Sequence, residues 1–200
     1  MNCMKKFEIK LLFKSLLLLT LSTTLISCKF EFNEEDLIPY KTYVDNELMI
    51  FKSNENKLDT FKITSKEIYY NNWTPIERDG IHNPPNAVVK YEKLNSNNYK
   101  IFNLNRKEYE DPELFHIRKH SPNSPTMIGV NFQNFYREFE LSNNTLPRKN
   151  ININNNEIEC FILTDPNLHN EEDVKTIYLS TDYNVIGYET GTGIIWIREN

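Results

Sequence analysis

The sequence predicts a mainly β domain: an antiparallel meander of about eight to ten strands forming a curved sheet, sandwich or half-barrel, with an apolar helix at the N-terminus. Three observations predict it. From Leu37 onward, apolar residues recur with period two, the spacing of one face of a strand. No long stretch carries the 3.6-residue period of an amphipathic helix. The connections are short and polar, which favours antiparallel neighbours over crossovers.

The strands are read in order. Residues 47–52 and 59–64 form a hairpin around the turn at 54–56, and residues 67–73 carry a further strand. Residues 74–86, with Pro75, Gly80, Pro84 and Pro85, read as a loop. Residues 87–92 and 99–104 flank the polar turn 95–98 as a second hairpin. Residues 114–118 and 126–130 flank 121–125 as a third. In residues 135–141, Phe135, Phe139 and Leu141 share one face, and Tyr136, Glu138 and Glu140 share the other. Residues 142–150 read as a polar loop, and residues 157–163 as a strand holding Cys160. The chain closes on a three-strand meander, 174–180, 185–189 and 194–198, with tight turns at 181–184 and 191–193.

Composition bounds the class. With 200 residues, 26% of them charged and 12% aromatic, the chain is globular and holds one or at most two domains. Asn is about one residue in seven, and runs such as Asn154-Asn155-Asn156 favour turns. Net charge is −5. Residues 1–27 carry Lys5, Lys6, Lys10 and Lys14 against Glu8, so the remainder is near −8. An acidic surface repels phosphodiesters, and no nucleic-acid partner is expected.

The N-terminus has its own pattern. A basic head precedes the apolar run 16–26, which is about half the roughly 20 residues needed to span a bilayer as a helix. It therefore reads as the core of a signal helix. The run ends in Leu25-Ile26-Ser27-Cys28. This resembles the lipobox of bacterial lipoproteins. The resemblance implies cleavage before Cys28, with Leu25, Ile26 and Ser27 read by the signal peptidase. Small Ser27 lets the peptidase close on the backbone, and the Cys28 thiol takes a diacylglycerol. Palmitate-like acyl chains on the thiol and the new amine would together make a lasting anchor, since one chain binds only marginally. The domain organisation expected is a signal peptide at 1–27, a lipidated acidic tether at 28–37 and a single β-rich domain at 38–200. Lys29, in place of an Asp, suggests the outer membrane, facing the periplasm or the cell surface. Residues 29–36 loosely resemble the acidic surface-export signal of Bacteroidetes lipoproteins. The closing Tyr-x-Ser strand, Gly-containing strand and Trp196 are also similar to the ends of small lipoproteins of that group.

No residue is singled out as catalytic or cofactor-binding. Once Cys3 leaves and Cys28 is acylated, Cys160 is alone and reads as a buried, inert thiol. His116 and His120 would share a helix face, but on a strand they stand about 13 Å apart, too far for one metal. His82 and His169 lie in loops, and Glu171-Glu172-Asp173 reads as a solvated turn without a calcium-loop frame. Tyr69, Tyr70, Trp73, Tyr136 and Trp196 would serve either a groove for sugar or lipid or the β-rich core itself. Three functions follow: a non-enzymatic envelope module binding a small ligand or an envelope protein, a lipid or lipoprotein carrier with an apolar half-barrel cavity, or an envelope hydrolase.

Overall fold

The computed structural model describes residues 28–70, 82–94, 101–103, 108–141, 146–153, 156–165 and 170–199. The signal helix and the residues Leu25, Ile26 and Ser27 lie outside the described residues. The elements are β1 (Cys28–Lys29), α1 (Ile38–Lys41), β2 (Leu48–Ser53), β3 (Leu58–Tyr70), β4 (His82–Asn83), β5 (Pro85–Lys93), β6 (Ile101–Asn103), β7 (Glu108–Glu110), β8 (Glu113–Arg118), β9 (Met127–Phe132), β10 (Phe135–Glu140), β11 (Arg148–Ile153), β12 (Asn156–Thr164), β13 (Val174–Leu179), β14 (Val185–Thr190) and β15 (Ile195–Glu199).

The protein is mainly β, as its periodicity predicts. Eleven antiparallel strands form one curled sheet, a half-barrel, in the order β10-β9-β8-β5-β3-β2-β15-β14-β13-β12-β11. The last strand, β15, returns beside β2, with Arg198 opposite Phe51, so both arms of the sheet grow outward from the β2–β15 pair. The two edges, β10 and β11, are therefore consecutive in the chain, and a seam separates the arms. Across it Cα atoms of β10 and β13 approach within 8 Å.

Alternation decides what the half-barrel encloses. Met49 and Phe51 of β2, Phe61 and Ile63 of β3, Val89 and Tyr91 of β5 and Ile177 and Leu179 of β13 all face one core. Turn chemistry sets the register at the ends. Asn56 takes φ +62° between β2 and β3, and Gly193 takes φ +82° between β14 and β15, a conformation that costs a residue without Cβ nothing.

Four local expectations are corrected. Residues 58–70 are one strand rather than two, because a bulge between Ile63 and Ser65 bends β3 without ending it. The expected 87–92/99–104 hairpin does not form: β5 pairs with β3 and β8, while Ile101–Asn103 pairs with Glu108–Glu110. The expected loop at 142–150 contains the start of edge strand β11, whose Asn150 side chain donates to Glu157 at 3.1 Å. Polar residues are tolerated there because an edge strand faces water. The segment 28–37, read as a tether from its charge, lies against the domain from Phe32 onward. Phe32 and Leu37 pack on the core, and Asp36 is buried.

Candidate functional site

The two ends of the half-barrel are closed differently. At the end holding the β9–β10 turn, Phe132 packs against four rings: Phe61 at 4.8 Å between centroids, Tyr188 at 5.2 Å, Tyr91 at 5.6 Å and Phe51 at 6.0 Å. Trp196 stacks on Tyr188 at 5.6 Å. Edge-on, tilted and stacked pairs occur together here, and they leave this end filled.

The other end is crossed by residues 33–47. Tyr43 is fully buried; its hydroxyl donates to the Tyr183 carbonyl at 3.3 Å and accepts from the Val185 amide at 2.8 Å. Burial pushes the Tyr43 phenol well above its ordinary range. Earlier in the crossing, Asp36 accepts from the Lys119 ammonium at 3.0 Å, from the Asn33 amide at 2.9 Å and from the Thr126 hydroxyl. Burial pushes the Asp36 carboxyl up, but the bonds from Thr126, Asn33 and Lys119 outweigh it, and the net shift is downward. Asp36 is thus held as a carboxylate.

Beside this crossing, at the seam, lies a cleft of about 560 Å³. Asp36, Lys119 and Thr126 line it from one arm and the crossing segment; Arg148, Phe161 and Tyr183 line it from the other arm. Tyr183 sits in a left-handed turn conformation, φ +66°, which is costly for a bulky residue. Tertiary contacts hold it there. Its ring lies between Phe139 of β10 at 6.1 Å and Phe161 of β12 at 5.5 Å, near-parallel to both, so it fills the seam where hydrogen bonds between strands do not. The Ser180 hydroxyl accepts from the Asn184 amide at 2.9 Å and fixes the turn. Arg148 lays its guanidinium over Phe161 at 5.0 Å and pairs with half-exposed Glu159 at 3.4 Å.

The residues singled out from the sequence fall elsewhere. The Cys28 backbone lies in β1, paired with His82 in parallel, at the end of the half-barrel where β5 begins. His116 is on β8, with Nε2 3.0 Å from the Asn86 side-chain oxygen and Nδ1 3.3 Å from Glu113. His120 follows in a bend rather than on a shared helix face. Cys160 is buried, its thiol 3.3 Å from the Lys149 carbonyl, and burial pushes its pKa up, away from a reactive thiolate. Asp173 accepts from the Asn170 amide at 2.9 Å and from the Asn134 side chain at 2.6 Å, which ties the β12–β13 loop to the β9–β10 turn. Trp196 and Tyr188 belong to the core, whereas Tyr136 is exposed. Trp73 and His169 lie outside the described residues. Among the described residues, no three His, Cys, Asp or Glu side chains gather to hold a metal ion.

Sequence reasoning missed Asp36, Lys119, Thr126 and Arg148. Asp36 looks like one more charge in the acidic run 34–36, and Lys119 and Arg148 sit in polar connections. Only the crossing of the N-terminal segment brings the first two together. Comparison with protein-family models, curated proteins and solved structures gives no match.

Proposed function

We propose that this protein is a lipid-anchored component of a bacterial envelope, attached to the outer membrane by acyl chains on Cys28, and that its half-barrel binds a ligand without transforming it. The observation that carries the anchor is Leu25-Ile26-Ser27-Cys28 closing a short apolar run behind a basic head. No helix of the described residues is long and apolar enough to cross a membrane. In this reading attachment of the chain to a bilayer rests on lipid at Cys28. Cys28 and the cleft share one end of the fold. Asn33 of the cleft lining is five positions on from Cys28, at most about 18 Å of extended chain, which would hold the cleft close to the bilayer surface.

Binding without catalysis is supported by two groups, Asp36 in the cleft and the buried Cys160. A general acid or base needs a pKa poised near the working pH. Asp36 is driven the other way and Cys160 is driven up. The carrier reading keeps one point in its favour, the seam cleft itself. Its apolar interior is taken by the Phe132 ring cluster, so cargo would have to lie at the seam.

The test is Cys28→Ala in cells fed an alkyne-bearing palmitate. The wild type is expected in the membrane fraction carrying the label, and the variant is expected to lose both. Wild-type protein whose N-terminal peptide still runs through residue 28 with a free sulfhydryl would overturn the anchor.

A further inference from the structure

Lys119 is an unusual donor. The residue is only 9% exposed, and an ammonium carries three protons. Among the described residues its acceptor is Asp36, at 3.0 Å. Donor capacity is thus left over on a largely buried side chain that lines the cleft. Arg148 reaches the same cleft from across the seam. Its flat face is occupied by Phe161, and one of its nitrogens reaches Glu159 at 3.4 Å, leaving the rest of its donor fork for another acceptor. Asp36 already accepts three bonds, so it neutralises Lys119 without meeting Arg148. Glu35, the other carboxylate of the lining, is exposed, where water and salt screen it. Between the two cations, Leu141 and Phe161 give the wall an apolar stretch.

We propose that the seam cleft binds an oxyanion carried on an apolar body. The oxygens of a carboxylate or phosphate accept from Lys119 and Arg148, and the apolar part lies on Phe161 and Leu141. Charge-assisted bonds supply orientation, and the apolar wall supplies area. A bilayer lipid and a soluble organic acid both have this chemistry. The inference deepens the binding reading above and is independent of the anchor.

The full chain is placed in phosphatidylcholine nanodiscs and titrated with octyl phosphate, octanoate, octan-1-ol and inorganic phosphate, with empty nanodiscs as reference. One site is expected for octyl phosphate and octanoate, with octan-1-ol and inorganic phosphate at least about tenfold weaker. Arg148→Gln lowers the octyl phosphate affinity about tenfold while leaving the near-ultraviolet circular dichroism unchanged. Lys119→Met is the second variant, used if it keeps that spectrum. Octan-1-ol binding as tightly as octyl phosphate, or Arg148→Gln binding as the wild type does, overturns the ligand class but leaves a binding cleft. Absence of binding by every probe overturns both. If the protein does not enter nanodiscs, the anchor reading falls, and the same titration in buffer still decides this one. Adding phosphatidylglycerol to the nanodiscs separates the sources. A loss of apparent octyl phosphate affinity assigns the site to a bilayer lipid, and unchanged affinity assigns it to a soluble acid.

Discussion

The ring-filled end and the seam end of the half-barrel are closed by different means. Around Phe132 five rings pack together, and the hydroxyls of Tyr188 and Tyr91 are satisfied by Asp59 and the Gln133 amide. Around Asp36 a charged pair is buried, a tyrosine is held at φ +66°, and a cleft remains open. Buried polar groups and strained backbone contribute less to stability than rings do, and they persist where surrounding structure over-determines them. The filled end holds the fold together, and the seam end is where the proposed ligand would lie.

The largest expected effect lies at the filled end. Phe132→Ala removes a ring that touches four others and should cost about 4 kcal/mol in urea unfolding. Binding at the seam should survive wherever the variant remains folded. A loss below about 1 kcal/mol would mean that the filled end is not the stabilising one.

Lys119→Ala comes next, at about 3 kcal/mol, because it leaves Asp36 buried without its cation. The pH dependence checks the same pair. The folded-state carboxyl of Asp36 lies below its ordinary value of 3.8, so the unfolded chain takes up this proton first as pH falls. The stability that Asp36 contributes is therefore complete above about pH 4 and is lost as pH drops through the folded value. Asp36→Asn should flatten that acid limb; a limb of unchanged slope would show that other carboxyls produce it.

Gly187→Ala should cost about 2 kcal/mol, since an added Cβ would sit 2.7 Å from the Trp196 carbonyl oxygen of the neighbouring strand. Thermal unfolding measures it, and an unchanged midpoint would mean that β14 and β15 separate easily there. The smallest effect belongs to Arg148→Gln, below about 0.5 kcal/mol, because its pair with Glu159 is half-exposed. A larger loss in the same unfolding assay would make Arg148 part of the scaffold rather than a group kept for a ligand.

How much was legible follows the same division. The β2–β3, β8–β9 and β13–β14–β15 connections were readable because each strand alternates and each turn is short. The β3 bulge was not, because one residue at Thr64 breaks the alternation and mimics a turn. Strand β11 was hidden by its asparagines, which are poor strand formers except at a solvated edge. The seam site was the least legible part. Asp36 and Lys119 are far apart in the chain, and neither residue type is expected inside without its partner.

The sequence by itself determined the class of fold and the lipobox-like tetrapeptide, because period-two patterning and a short apolar run are local and act without reference to the rest of the chain. Only the tertiary structure decided where the sheet stays open and which charges meet there. Those depend on β15 returning beside β2 and on residues 33–47 crossing one end, long-range events whose energy no local window contains.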